Sequence, residues 1–202
     1  MTLNLKSMLF SNSDLKDFQQ PQHKDASVIS CQAPEATVLF KANDILSEKF
    51  PEIKQGLNYH FATAGLWSSH DLLFHLLSFT GPAKVYLATW SITEDPARML
   101  VNGLNAGIIT ELYGLFDIRV KIRNPETYIF AKHNLCKARL TVCHAKVTVI
   151  ENDNWKICIV GSANYTNNPR IEAGVISTQA ESAEFHKDWI LKELDKAHPF
   201  DL

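Results

Sequence analysis

Lys84 to Ile92 reads KVYLATWSI, a near-continuous apolar run set between Gly81-Pro82 and Asp95-Pro96. A strand this apolar has no face for water, so it must lie inside a sheet covered on both sides. Its neighbours supply the covers. Upstream, Ser68 or Ser69 can cap a helix that carries Leu72, Leu73, Leu76 and Leu77 on one face and ends before Gly81. Downstream, Asp95-Pro96 opens a second helix that runs to about Asn105 and stops at Gly107. Leu112 to Ile122 reads as strand and Glu126 to Lys137 as helix. Four closely spaced strands are then expected: Arg139 to Cys143, Lys146 to Ile150, Lys156 to Val160 and Ile171 to Ser177. Ser182 to Lys196 closes the pattern as an amphipathic helix with Phe185, Trp189 and Leu194 on one side. Helices alternating with strands predict one α/β domain with a mixed, mainly parallel sheet flanked by helices on both faces.

The first third is less regular. Residues 1–35 are polar, interrupted by Pro21 and Pro34, and read as an N-terminal arm; residues 36–202 form the domain. Ala36 to Lys41 reads as a short strand, Asn43 to Lys54 as a helix that Pro51 opposes in its second half, and Leu57 to Ala64 as a strand. Hydrophobic residues make up 46% of the 202 and charged residues 21%, a globular balance. With 20 basic and 22 acidic side chains the net charge is -2, so any surface for a polyanion must be local. No apolar run is long enough for a membrane span, and Met1 to Phe10 lacks the pattern of a secretory leader. The four cysteines form no C-x-x-C pair and no zinc spacing. They read as reduced thiols, which fits a cytoplasmic protein.

Chemistry concentrates in Cys143 to Ile176, CHAKVTVIENDNWKICIVGSANYTNNPRIEAGVI. His144 and Lys146 are two apart, as are Ser162 and Asn164, so on strands each pair would share a face. Neighbouring strands would gather an imidazole, an ammonium, a hydroxyl and an amide. Imidazole is a nucleophile or proton carrier near neutral pH. The other three donate hydrogen bonds, which suits the oxygens of a phosphoryl group. A histidine or an H-x-K alone is common; the joint pattern with G-S-x-N at the end of the next strand is far more specific.

This segment resembles the HKD motif, H-x-K-x4-D followed by G-S-x-N, of the phospholipase D-like superfamily, on His144, Lys146, Gly161, Ser162 and Asn164. The resemblance covers about Leu57 to Lys196. It implies a phospholipase D-like domain and a metal-independent phosphodiesterase without cofactor. Glu172 resembles the acid that orients a catalytic histidine. The aspartate position holds Glu151, in the place of a carboxylate that supports local structure. The family chemistry uses two histidines, one attacking phosphorus and one protonating the leaving oxygen. Of eight histidines here, only His144 has lysine two residues on, so the resemblance implies a homodimer whose two copies share one site.

Three functions follow from that resemblance. A nuclease is favoured by Arg119, Lys121 and Arg123, which alternate with Ile118, Val120 and Ile122 and would share one strand face. Lys132, Lys137 and Arg139 extend the series, with Glu126 the one acid between Arg119 and Lys146. A phospholipase or phosphatidyltransferase would want an apolar groove with interfacial aromatics; Trp67, Trp90 and Trp155 are available, although Trp90 reads as core. A non-catalytic dimeric binding module is opposed by the intact His144, Lys146 and Asn164.

Overall fold

The computed structural model describes residues 26–31, 36–40, 46–48, 50–167 and 170–196. Its strands are β1 (Ala26–Cys31), β2 (Ala36–Phe40), β3 (Asn58–Ala62), β4 (Ala83–Thr89), β5 (Ile109–Asp117), β6 (Lys137–Thr141), β7 (Val147–Glu151), β8 (Lys156–Gly161) and β9 (Ala173–Ser177). Its helices are α1 (Ser69–Thr80), α2 (Glu94–Asn105), α3 (Ile118–Arg123), α4 (Pro125–Asn134) and α5 (Ala180–Asp195). All nine strands join one sheet in the order β2-β1-β3-β9-β8-β7-β4-β5-β6.

The sheet is mixed, but the expected balance of directions is reversed. Only β4–β5 and β5–β6 pair in parallel, through crossovers that carry α2 and then α3 with α4. The other pairings are antiparallel. The reason lies in connection length. A parallel neighbour needs a crossover of a dozen or more residues, whereas residues 152–155 are a tight turn that can only return the chain antiparallel. Residues 26–31, assigned to the arm, form β1, which pairs with β2 and β3. The rest of the arm, residues 1–25 and 32–35, and the start of the helix expected from Asn43 lie outside the described residues. That helix does not extend through 50–54.

Local rules account for the elements that frame the site. Ser68 caps α1 with a reciprocal pair: its Oγ accepts from the Asp71 N–H at 3.3 Å, and Asp71 Oδ2 accepts from the Ser68 N–H at 2.9 Å. Leu72, Leu73, Leu76 and Leu77 of α1 are buried with Val85 and Leu87 of β4 and Leu100 of α2 on one side of the sheet. On the other side Ala183, Ile190 and Leu194 of α5 pack on Tyr86, Ala88, Val149 and Cys158. Phe185, expected on that apolar face, is 67% exposed; the buried stripe runs through 183, 190 and 194.

The strand expected from Leu112 to Ile122 stops at Asp117. Asp117 Oδ1 accepts from the Arg119 N–H at 3.0 Å and so caps α3. The alternation IRVKIR suits either period, and the cap decides for helix. Arg119 and Arg123 are therefore neighbours one turn apart while Lys121 lies on another side, so the three cations do not share one face.

Candidate active site

The ends of five strands and the starts of two others converge on one end of the sheet. They are the ends of β3, β4, β5, β6 and β8 and the starts of β7 and β9. His144 and Lys146 sit just before β7 rather than within it. Lys146 Nζ donates to His144 Nδ1 at 3.2 Å and to the His144 carbonyl at 2.8 Å, which holds imidazole and ammonium together. His144 is exposed and Lys146 half-buried. Burial pulls the Lys146 ammonium below its ordinary pKa, opposed by the nearby Cys143, Glu172 and Asp117.

The G-S-x-N segment leaves the end of β8 beside this pair. The Gly161 N–H donates to the Lys146 carbonyl at 3.1 Å. Glycine is required there, because a Cβ would stand 2.9 Å from the Ala173 carbonyl across the β8–β9 ladder. Ser162 Oγ donates to Glu172 Oε2 and accepts from the Ala173 N–H at 3.1 Å. Glu172 is fixed in turn by Thr63, just after β3: its N–H donates to Thr63 Oγ1 at 3.1 Å, and its carbonyl accepts from the Thr63 N–H at 2.7 Å. Asn164 Oδ1 accepts from Thr89 Oγ1 at 3.3 Å at the end of β4. Next to it Tyr165 is buried, its hydroxyl 2.6 Å from Thr148 Oγ1. Its backbone bonds to Ser91 and Thr93 tie the loop after β8 to the loop after β4.

Two residues that composition and spacing did not mark belong here. Trp90, read as core, is half-buried at the end of β4, with its ring 5.5 Å from the His144 ring. Arg119, Arg123 and Lys146 lie over that indole at 5.5, 5.1 and 5.8 Å. Asp117 is buried, and its Oδ2 accepts from the Cys143 N–H at 3.0 Å, one residue before His144. The signal for Asp117 was an acid directly before a basic segment at a strand end, which is an N-cap position.

Other expected site residues fall elsewhere. Glu151 is at the opposite end of β7, where Lys187 of α5 donates to it at 2.6 Å. Arg139, proposed for a nucleic-acid surface, is 2% exposed and donates to the Glu193 carbonyl of α5, so it is part of the interior. Lys137 pairs with Asp195 at 2.6 Å. Lys132 is exposed on α4 and Lys121 on α3. Burial also lifts the Cys143 and Cys158 thiols, Cys158 to about 11, so both are poor nucleophiles.

No family model matches the sequence, and no curated protein matches it. Among solved structures the chain is similar to Nuc from Salmonella typhimurium, a phospholipase D family member. The two are 19% identical, over 60% of this chain and 85% of that one, with a TM-score of 0.48. It is similar to NucT from Helicobacter pylori at 19% identity, over 67% of this chain and 93% of that one, with a TM-score of 0.49. Among the described residues no helix is long and apolar enough to cross a membrane.

Proposed function

We propose that this protein is a phospholipase D-like phosphodiesterase that cleaves nucleic acid through a phosphohistidine on His144. The observation that carries the reading is the assembly of His144, Lys146, Ser162, Asn164 and Glu172 at one sheet end, from segments brought there by β7, β8 and β9. With Lys146 donating to His144 Nδ1, the neutral ring carries its proton on Nε2. For the reaction that proton moves to Nδ1 as the Lys146 contact there gives way to the substrate. Nε2 then attacks phosphorus, the bond to the leaving oxygen breaks, and that oxygen takes a proton from a second imidazole. The same imidazole then draws a proton from water, which attacks the phosphohistidine and restores His144. Lys146 and Asn164 meet the charge on the non-bridging oxygens. The scheme calls for no metal.

The second imidazole is supplied by a second copy of the chain. An apolar rim supports this reading: Val142 is 77% exposed, Ile122 75%, Ile171 53% and Val160 37%, each within two residues of a site residue. Exposed apolar side chains next to site residues suit a surface that another molecule covers. A cationic patch beside His144 favours nucleic acid over lipid.

The test is subunit mixing. Wild type and His144→Ala are combined, exchange is proven, and hydrolysis of bis-p-nitrophenyl phosphate is measured in EDTA. Activity should fall below that of wild type diluted alone, because a mixed dimer holds one imidazole. A linear response to the wild-type fraction would assign both roles to one chain. Activity that needs added divalent metal would replace the scheme.

A further inference from the structure

Trp90 is the hub of a cationic cluster that the reaction at His144 does not itself require. Arg119 and Arg123 stand one turn apart on α3 and lie over its ring at 5.5 and 5.1 Å. Like charges gathered on one ring repel, and the ring's negative face offsets only part of that. One acid offsets part of it: Asp117, at 4.0 Å from Arg119 Nε, pairs with that arginine while also accepting from the Arg119 and Cys143 N–H groups. Among the described residues no carboxylate forms an ion pair with Arg123. The Trp90 indole N–H is buried with no hydrogen-bond partner among them. Buried donors without partners are rare in folded chains and need an explanation. Both arginines are exposed. A guanidinium beside a ring still has N–H donors for another acceptor, and a phosphate can take two of them at once.

We infer that Trp90, Arg119 and Arg123 form a second phosphate subsite, which holds the phosphate next to the scissile one in a polynucleotide. This rests on the phosphodiesterase reading and narrows it. The preferred substrate carries consecutive phosphodiesters, and the cluster positions the chain so that an internal linkage meets His144. The His144 and Trp90 rings are 5.5 Å apart, so the two phosphates would be bound by adjoining groups.

The experiment has an arm that does not depend on turnover. Binding of a fluorescein-labelled 12-nucleotide single strand is measured by anisotropy on His144→Ala, with and without Arg119→Gln and Arg123→Gln together. The double substitution should weaken binding about tenfold or more and flatten its dependence on salt by about two released ions. In the active protein the same pair should lower kcat/KM on the oligonucleotide at least tenfold more than on bis-p-nitrophenyl phosphate, which carries a single phosphodiester. A neutral methylphosphonate at the neighbouring linkage should erase that difference. Unchanged binding, or equal losses on both substrates, overturns the subsite. Wild type inert toward both substrates overturns the phosphodiesterase reading instead, while the binding arm still decides the subsite.

Discussion

The two ends of the sheet are built from the same strands and treat charge in opposite ways. At the end where β7 finishes, cations meet acids: Lys84 with Glu111 at 2.6 Å, Lys187 with Glu151 at 2.6 Å, Lys137 with Asp195 at 2.6 Å, and Lys156 with Glu184. Two tyrosines stacked 4.9 Å apart add hydroxyls to the Glu111 and Glu151 carboxylates. At the other end His144, Lys146, Arg119 and Arg123 surround Trp90, and the Asp117 carboxylate beside them is occupied by backbone donors. Paired charges hold an end of a fold together. An end left with surplus cations attracts anions.

That contrast is most strongly tested at His144. His144→Ala should lower phosphodiesterase activity by about a thousandfold or more, since covalent catalysis loses its nucleophile. The side chain is exposed, so the melting temperature should move little. Retained activity with an unchanged melting curve would place the chemistry elsewhere.

The next effect is at Lys146. Lys146→Ala should cost about a hundredfold or more in kcat, as for a lost donor to transition-state charge. Because burial lowers this ammonium below its ordinary value of 10.5, the wild-type rate should decline on the alkaline side before the usual lysine range is reached. The sign is set by charge: deprotonation removes the positive group that meets the phosphoryl oxygens. Lys146→Arg stays protonated and should push that decline to higher pH, whatever it does to the maximum rate. A pH profile identical in wild type and Lys146→Arg would detach the alkaline limb from this residue.

The smallest effect belongs to the far end. Lys187→Gln removes the half-buried partner of Glu151 and should reduce stability by about 1 kcal/mol, with kcat/KM on any substrate within about twofold. Denaturant melts and steady-state kinetics on the same preparation separate the two. A large kinetic loss there would mean that the two ends are coupled rather than divided.

How much of this was legible in the sequence depends on whether one local signal acted alone. The apolar run of β4 and the Leu-rich face of α1 each obey a single period, and both elements were readable. The gathering of His144, Lys146, Ser162 and Asn164 at one sheet end was readable too, because their spacing survives in the chain even though His144 and Lys146 precede β7 rather than lie in it. The segment IRVKIR satisfied two periods at once, and the N-cap contact of Asp117 broke the tie. That one error hid the pairing of Arg119 with Arg123 and the place of Trp90. Arg139 misled for a different reason: a basic residue beside others reads as surface, and only packing against α5 places it inside. Strand direction was missed because the sequence marks strands, while the lengths between them decide how they pair.

Tyr165 has a consequence for how the protein fails. One residue after Asn164, its ring is seated in the interior and its hydroxyl meets Thr148, while its backbone joins the loop that follows Trp90. The loops that form the site are thus pinned from beneath by a group that leaves only when the core opens. Within one chain, then, the site loops should not open ahead of the core: on heating, the local order around Asn164 and the core packing around Tyr165 should be lost in one event.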